Sequence, residues 1–252
     1  MAIFAPFGFL KQEAGGGPLP PVEADAFDFL ANNYTGTGDW FDQTGNYSAA
    51  AHNSPIYDGA AGAKYFTLDG NDGFIIPQAQ NPGAIWSSQN GTAGTAIGSL
   101  EVFIKPNSYT GRLVGAWSGT SSRRSFIFGF DPTSKVTTYF QTVNNTYRTF
   151  RNTSIAMTTG VWNHLVIRWS MASNLIQITL NDSVNGFATF VLTNQVWQGS
   201  ADTCFTLGFL QDDCSNSREY VNGDVACFRG FNTFLSNEEV TELYDYWTGL
   251  GY

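Results

Sequence analysis

Apolar and polar positions alternate in short runs along most of this chain, separated by clusters of Gly, Asn, Asp, Ser and Pro. Ser99-Leu-Glu-Val-Phe-Ile-Lys105 has period two, which sets Leu100 and Val102 on one strand face and Phe103 and Lys105 on the other. Ala63 to Leu68 leads through the turn Asp69-Gly-Asn-Asp-Gly73 into Phe74-Ile-Ile76, the pattern of a hairpin or tight strand-to-strand step. Ser125 to Phe130, Val136 to Thr142 and Thr146 to Arg151 predict a meander, and Leu175 to Leu180 precedes a further strand at Gly186 to Leu192. Gly160-Val-Trp-Asn-His-Leu-Val-Ile-Arg-Trp169 is apolar on both faces, with Trp162 and Val166 on one and Leu165, Ile167 and Trp169 on the other. Such a run predicts a buried central strand, so its His164 is expected to be a packing residue.

One segment leaves this period. Ser236-Asn-Glu-Glu239 has the S-x-x-E form of a capping box, after which Val240, Leu243, Tyr244 and Trp247 fall on one stripe of a helix. Composition agrees with the strand reading. The 252 residues are 42% hydrophobic and only 13% charged, with 27 glycines, which suits one large all-β domain of many short strands. The net charge of −9 repels a phosphate backbone, so nucleic acid is not an expected partner.

The opening residues carry Ile3, Phe4, Phe7, Phe9 and Leu10, followed by Gly15-Gly-Gly-Pro-Leu-Pro-Pro21. This division predicts an apolar arm and tether over residues 1–27 and a domain over residues 28–252. The arm has no basic leader region and Pro6 interrupts it, so it reads neither as a secretory signal nor as a membrane span. The three cysteines, Cys204, Cys214 and Cys227, have no C-x-x-C spacing. Buried free thiols are the default expectation, with a Cys204–Cys227 bridge open if their strands are neighbours.

These pieces also occur in a family order. Trp40-Phe-Asp-Gln-Thr-Gly-Asn46, Phe66-Thr-Leu-Asp-Gly70 with Phe74-Ile-Ile-Pro77, Ser99 to Pro106, Gly160 to Val166, Phe205-Thr-Leu-Gly208 and Gly223 to Tyr244 together resemble a laminin-G-like, concanavalin A-like jelly-roll domain. The resemblance runs over about residues 28–247. It implies a two-sheet antiparallel jelly-roll sandwich, one sheet concave, closed by a short C-terminal helix, and it too makes Trp162 and His164 packing residues.

Some members of that superfamily hydrolyse glycans with carboxylates alternating on one strand, a pattern this chain lacks. Glu101 stands among apolar neighbours, and Glu101 with Asp224 is the least poor catalytic pair; no enzyme is expected. His52 sits before Pro55 with no partner in view. The resemblance makes calcium an optional ligand, with Asp69, Asn71 and Asp72 as one candidate cluster and Asp212, Asp213 and Asn216 as another; plain turn chemistry explains both and is the favoured reading. Aromatic platforms for a host surface glycan would come from Trp86, Tyr109, Trp117, Tyr139, Tyr147 and Trp197.

Met-Ala-Ile-Phe-Ala-Pro-Phe-Gly-Phe-Leu-Lys-Gln-Glu13 resembles the start of small structural proteins of tailed bacteriophages. That resemblance implies a cytoplasm-made virion protein displayed on the particle exterior, as a head decoration or tail-fibre component. Its arm would hold other virion proteins and it would assemble as a homo-oligomer, a trimer suiting a symmetric virion site. The alternative reading is a calcium-assisted lectin or receptor-binding protein.

Overall fold

The computed structural model describes residues 19–80, 97–116, 126–130, 135–141, 147–170, 172–173, 175–181, 187–191, 204–212 and 214–252. Within them the chain forms two eight-stranded antiparallel sheets packed face to face. The first contains β1 (Phe27–Leu30), β4 (Ile56–Ala60), β5 (Ala63–Asp69), β7 (Ile97–Pro106), β12 (Asn163–Ser170), β13 (Leu175–Leu180), β14 (Phe187–Val191) and β18 (Asn222–Phe231). Its order is β14-β13-β12-β7-β18-β5-β4, with β1 also paired to β18. The second contains β2 (Trp40–Phe41), β3 (Ser48–His52), β6 (Gly73–Ile76), β8 (Arg112–Ala116), β9 (Phe126–Phe130), β10 (Lys135–Gln141), β11 (Tyr147–Ala156) and β15 (Phe205–Leu207). A separate hairpin, β16 (Leu210–Asp212) with β17 (Asn216–Arg218), lies beside β8, where Leu210 packs on Ile127.

The alternation seen in sequence decides which residues enter the layer between the sheets. Leu100, Val102 and Ile104 of β7 meet Leu165, Ile167 and Trp169 of β12 there, with Phe66, Phe74, Phe128, Phe205 and Phe228 filling the rest. Trp40 is wholly buried among Phe29, Phe66 and Phe74, and its indole donates to the Leu30 carbonyl at 3.1 Å. Aromatic rings supply the large apolar areas that a sandwich of short strands needs.

The helix α1 (Asn237–Gly249) starts as the capping box requires. The Glu239 backbone N–H donates to Ser236 Oγ at 3.1 Å, and the Ser236 N–H donates to Glu239 Oε2 at 2.7 Å. Val240, Leu243 and Trp247 are buried on the outer face of the first sheet, while Tyr244 is half-buried.

Under that helix the reading of Glu101 as an isolated carboxylate is corrected. Its Oε1 accepts from His164 Nε2 at 2.8 Å and from Trp247 Nε1 at 2.6 Å, and its Oε2 accepts from Arg229 at 2.8 Å. Arg229 also donates to Asp28 at 2.8 Å and to the Val22 carbonyl at 2.6 Å. All these side chains are buried, because β1, β7, β12, β18 and the helix converge there. Burial alone would push the Glu101 carboxyl up, but Arg229, His164 and Trp247 outweigh it and hold it below its ordinary value. His164 is thus a sealed packing residue, as expected.

The arm residues Ile3, Phe4, Phe7, Phe9 and Leu10 lie outside the described residues. From Leu19 onward the segment packs on the sandwich: Leu19 against the cluster of Leu30, Phe103 and Trp247, and Val22 and Ala24 with the cluster of Val166, Val240 and Leu243. The cysteine expectation is also corrected. Cys204 is bonded to Cys214, Cα to Cα 5.2 Å, because the β16–β17 hairpin folds back beside the start of β15. Cys227 remains a buried free thiol, which burial pushes well up, with the Glu101 charge adding to it.

Candidate functional site

At one end of the sandwich, the loops after β3, β5, β7 and β15 and before β18 meet in a polar rim. His52, the last residue of β3, is not partnerless there: its Nε2 and the Tyr220 hydroxyl lie 3.0 Å apart. Both rings lie near-parallel to the buried Phe209, at centroid distances of 4.9 Å for His52 and 5.2 Å for Tyr220. Two glycines permit this close assembly. A Cβ at Gly73 would stand 2.6 Å from the Phe209 ring, and one at Gly111 would collide with the Tyr220 carbonyl. Burial lowers the pKa of His52, so its imidazole is neutral at pH 7 and exchanges a hydrogen bond with Tyr220 in either sense.

Asparagines surround the stack. Asn53, in the left-handed region at φ 57°, donates from Nδ2 to the Asn71 carbonyl. Asn107 Nδ2 donates to Asn222 Oδ1 at 3.0 Å, and Asn222 Nδ2 donates to the Asp69 carbonyl at 3.4 Å. Asn53, Asn71 and Asn107 are exposed, and His52, Tyr220 and Asn222 are half-buried. The rim therefore presents amide donors and acceptors around a half-buried aromatic pair. That combination suits polyhydroxyl ligands, which offer both hydrogen-bonding groups and apolar C–H faces.

Asp69, Asn71 and Asp72, the first metal candidates, lie together in this rim. Asp69 Oδ1 accepts from the Asn71 N–H at 2.9 Å, and Asp72 Oδ1 accepts from the Asp69 N–H at 3.0 Å. Asp72 is only 3% exposed. Its burial pushes the carboxyl up to about 6; the nearby Asp69 charge adds to the rise, and backbone hydrogen bonds oppose it. Each carboxylate thus spends an oxygen on its own turn. Among the described residues no group of three His, Cys, Asp or Glu side chains could hold an ion. Asp212 ends β16 opposite Asn216, while Asp213 lies outside the described residues.

The aromatic candidates scatter. Tyr109 is half-buried against the main core, its hydroxyl donating to the Met157 carbonyl at 2.7 Å. Tyr139 pairs in register with Ile127 and Thr149, and Tyr147 with Gln141, at the far end of the second sheet. Trp86, Trp117 and Trp197 lie outside the described residues. Nothing local in the sequence marks His52, Tyr220, Asn53, Asn107 and Asn222 as rim residues. Their only sequence signal is turn chemistry, such as Asn222-Gly223, which does not say which turns meet.

The carboxylates Glu101 and Asp224 do not make a hydrolytic pair. Asp224 pairs with Lys105, four residues beyond Glu101 on β7, a separation of about 13 Å along the strand. Glycosidase carboxyls stand about 5–9.5 Å apart. Asp224 is held by Lys105 at 2.7 Å and Thr67 at 2.8 Å, and Glu101 is sealed under the helix.

Two large antiparallel sheets, a covering C-terminal helix and a polar loop rim define a lectin-type sandwich. A family model described as the concanavalin A-like lectin/glucanases superfamily matches residues 68–241, and the chain belongs to that superfamily. A search of curated proteins found no match. Among solved structures, the receptor binding domain of botulinum neurotoxin mosaic serotype C/D superposes with a TM-score of 0.61 at 14% identity, covering 88% of this chain and 50% of that one. This chain therefore spans about half the length of that toxin domain. Domain 4 of AbnA, a GH43 extracellular arabinanase from Geobacillus stearothermophilus solved with arabinotriose, gives 0.58 at 16% identity, covering 87% of this chain and 97% of that one. A Trypanosoma rangeli sialidase gives 0.59 at 13% identity, covering 89% and 33%. At these identities the likeness concerns the fold.

Proposed function

We propose that this chain is a non-catalytic carbohydrate-binding domain that meets its ligand at the rim around His52 and Tyr220. The observation that carries the reading is the assembly of that aromatic pair with Asn53, Asn71, Asn107 and Asn222 from separate loops. The burial of Glu101 and its distance from Asp224 favour binding over cleavage. An arabinanase domain solved with arabinotriose shares the fold over nearly its whole length, which supports the ligand class. A glycan array screened with and without calcium tests this. Binding in either condition supports it, and a blank in both sinks it.

The finer reading is display on a bacteriophage virion. It rests on the resemblance of Met1 to Glu13 to phage structural proteins and on the Gly/Pro tether that follows. Leu19 packs against the cluster that holds Trp247, and Val22 against the one that holds Leu243, so the described residues start beside the C-terminal helix; the arm would hold a neighbouring subunit or another virion protein. Deleting residues 1–18 leaves a folded domain that fails to join particles. Normal incorporation of that truncation would overturn virion anchoring through the arm.

A further inference from the structure

On the outer face of the first sheet, two residues in from the rim positions Asp69, Asn222 and Asn107, a row of residues lies side by side across four strands and the entry to a fifth. Ile56 pairs with Thr67, Thr67 with Asp224, and Asp224 with Lys105; Asn163 pairs with Ile104, which brings Trp162 beside Lys105. Phe66, Leu68, Ile104 and Val225 alternate with these positions into the core, so the row faces outward.

Its centre is polar and organised. Asp224 accepts from Lys105 at 2.7 Å and from Thr67 at 2.8 Å, with the Lys105 side chain 30% and the Asp224 side chain 10% exposed. One end is apolar: Ile56 is 59% exposed. Behind the row stands a wall of rings. Trp162 stacks on Phe103 at 5.0 Å and meets Tyr252 at 4.8 Å and Tyr65 at 5.7 Å, edge to face. The Lys105 ammonium lies 5.8 Å from the Trp162 centroid and 5.9 Å from that of Tyr65. Trp247 and Tyr252 roof Phe103 in the neighbouring row, and Tyr252 reaches Trp162 as well, so Trp162 closes that end of the row beside the C-terminal segment.

The result is a ledge, with a polar floor and an aromatic wall, running about 19 Å across the strands at ordinary interstrand spacing. That length suits a chain of sugars rather than a single ring. Lys105 and Asp224 cancel in charge, and a protein of net charge −9 repels polyanionic saccharides. We propose that this ledge is a second glycan-binding surface, adjoining the rim along β5, β18 and β7. It takes an extended, uncharged oligosaccharide that packs against Trp162 and hydrogen-bonds to Thr67, Asp224 and Lys105. The inference rests on the carbohydrate-binding reading for its ligand class but not on the rim for its location.

The test is titration of the full chain with linear arabino-, xylo- and gluco-oligosaccharides of increasing length, and with a sulfated saccharide for comparison. The indole 15N–1H signal of Trp162, assigned with Trp162→Phe, is followed beside calorimetry. The expected result is a saturable shift of that signal by a neutral oligosaccharide, tightening with chain length. Lys105→Met and Thr67→Val, checked by thermal melts, each weaken at least tenfold the binding that shifts the Trp162 signal, while Glu238→Gln, exposed in the first turn of the helix and outside both surfaces, leaves it unchanged. Oligosaccharide binding that leaves the Trp162 signal still and is abolished by Asn107→Ala overturns the ledge but keeps the carbohydrate reading. Tighter binding of the sulfated saccharide at the ledge overturns the assigned ligand class. No binding of any saccharide by the native chain overturns both readings.

Discussion

The indole nitrogen of Trp247 donates to Oε1 of Glu101 at 2.6 Å, so the closing helix is tied to the centre of the first sheet by a buried charge. Glu101 can sit there because three donors meet its two oxygens, one of them the cationic Arg229. Removing a partner from a buried ion pair costs about 3–5 kcal/mol, whereas losing one neutral hydrogen bond to a charged acceptor costs about 1–3 kcal/mol. Glu101→Gln is therefore expected to destabilise the chain more than Trp247→Phe, which keeps most of the stacking on Phe103. Urea denaturation of the two variants checks the order, and a neutral Glu101→Gln would refute the anchoring role.

The same network marks where sequence reading stops. The capping box was legible because Ser236 and Glu239 are three residues apart and their chemistry is local. The buried strand 163–170 was legible because alternation on both faces is a local pattern too. Glu101 read as isolated because its partners stand 63, 128 and 146 residues away, and only the β12-β7-β18 order with the helix above brings them to one point.

Asp72 makes the stability of the rim depend on pH. Its carboxyl titrates near 6 in the folded chain against an ordinary value of 3.8, so between these limits the folded state holds a proton that the unfolded state has released. Stability contributed by this group therefore falls as pH rises from about 4 to 6, and stays lower above that window. Asp72→Asn keeps the acceptor for the Asp69 N–H and removes the buried charge. It is expected to stabilise the chain by about 1–2 kcal/mol at pH 7 and by almost nothing below pH 4, in chemical denaturation at both values. An equal effect at the two pH values would contradict this assignment.

Tyr220→Phe removes the hydroxyl that meets His52 and leaves the ring on Phe209. One hydrogen bond at a half-exposed position contributes roughly 0.5–1.5 kcal/mol to folding, so the melting temperature should move only a few degrees. Affinity for a rim-bound glycan should fall about tenfold, since the hydroxyl is one of the few polar groups on the aromatic pair and orients the imidazole. Calorimetry with whichever saccharide an array identifies makes the comparison. Unchanged affinity would remove Tyr220 from the site.

The rim itself was half legible. The Asp69–Gly73 turn was found because Asp, Asn and Gly announce turns, and it does lie in the rim. The aromatic pair was not found, because Phe209, Tyr220 and His52 come from separate loops whose meeting depends on Gly73 and Gly111 yielding space. Tyr109 carries the aromatic ring and the loop position of a platform, but sequence does not show that its hydroxyl donates to the Met157 carbonyl.

The Cys204–Cys214 bond closes a ten-residue separation over the hairpin that leads from Phe209 to Tyr220. Chain-entropy reasoning gives a loop of this length about 2–3 kcal/mol of stabilisation, because the cross-link restricts the unfolded chain. Its local effect falls on the rim, since Phe209 lies within the closed loop and the β16–β17 hairpin, whose turn holds Cys214, leads on to Tyr220. A Cys204→Ser, Cys214→Ser double variant is expected to lose roughly that stability and to exchange amide hydrogens faster across residues 210–218, with the central strands β7 and β12 unchanged. If glycan binding is at the rim, affinity should also fall when the native chain is treated with a mild reductant, while Cys227, sealed under the helix, stays unmodified by a thiol reagent until the chain unfolds. Rapid labelling of Cys227 in the folded, reduced chain would show that the effect is global, and would remove the hairpin as its cause.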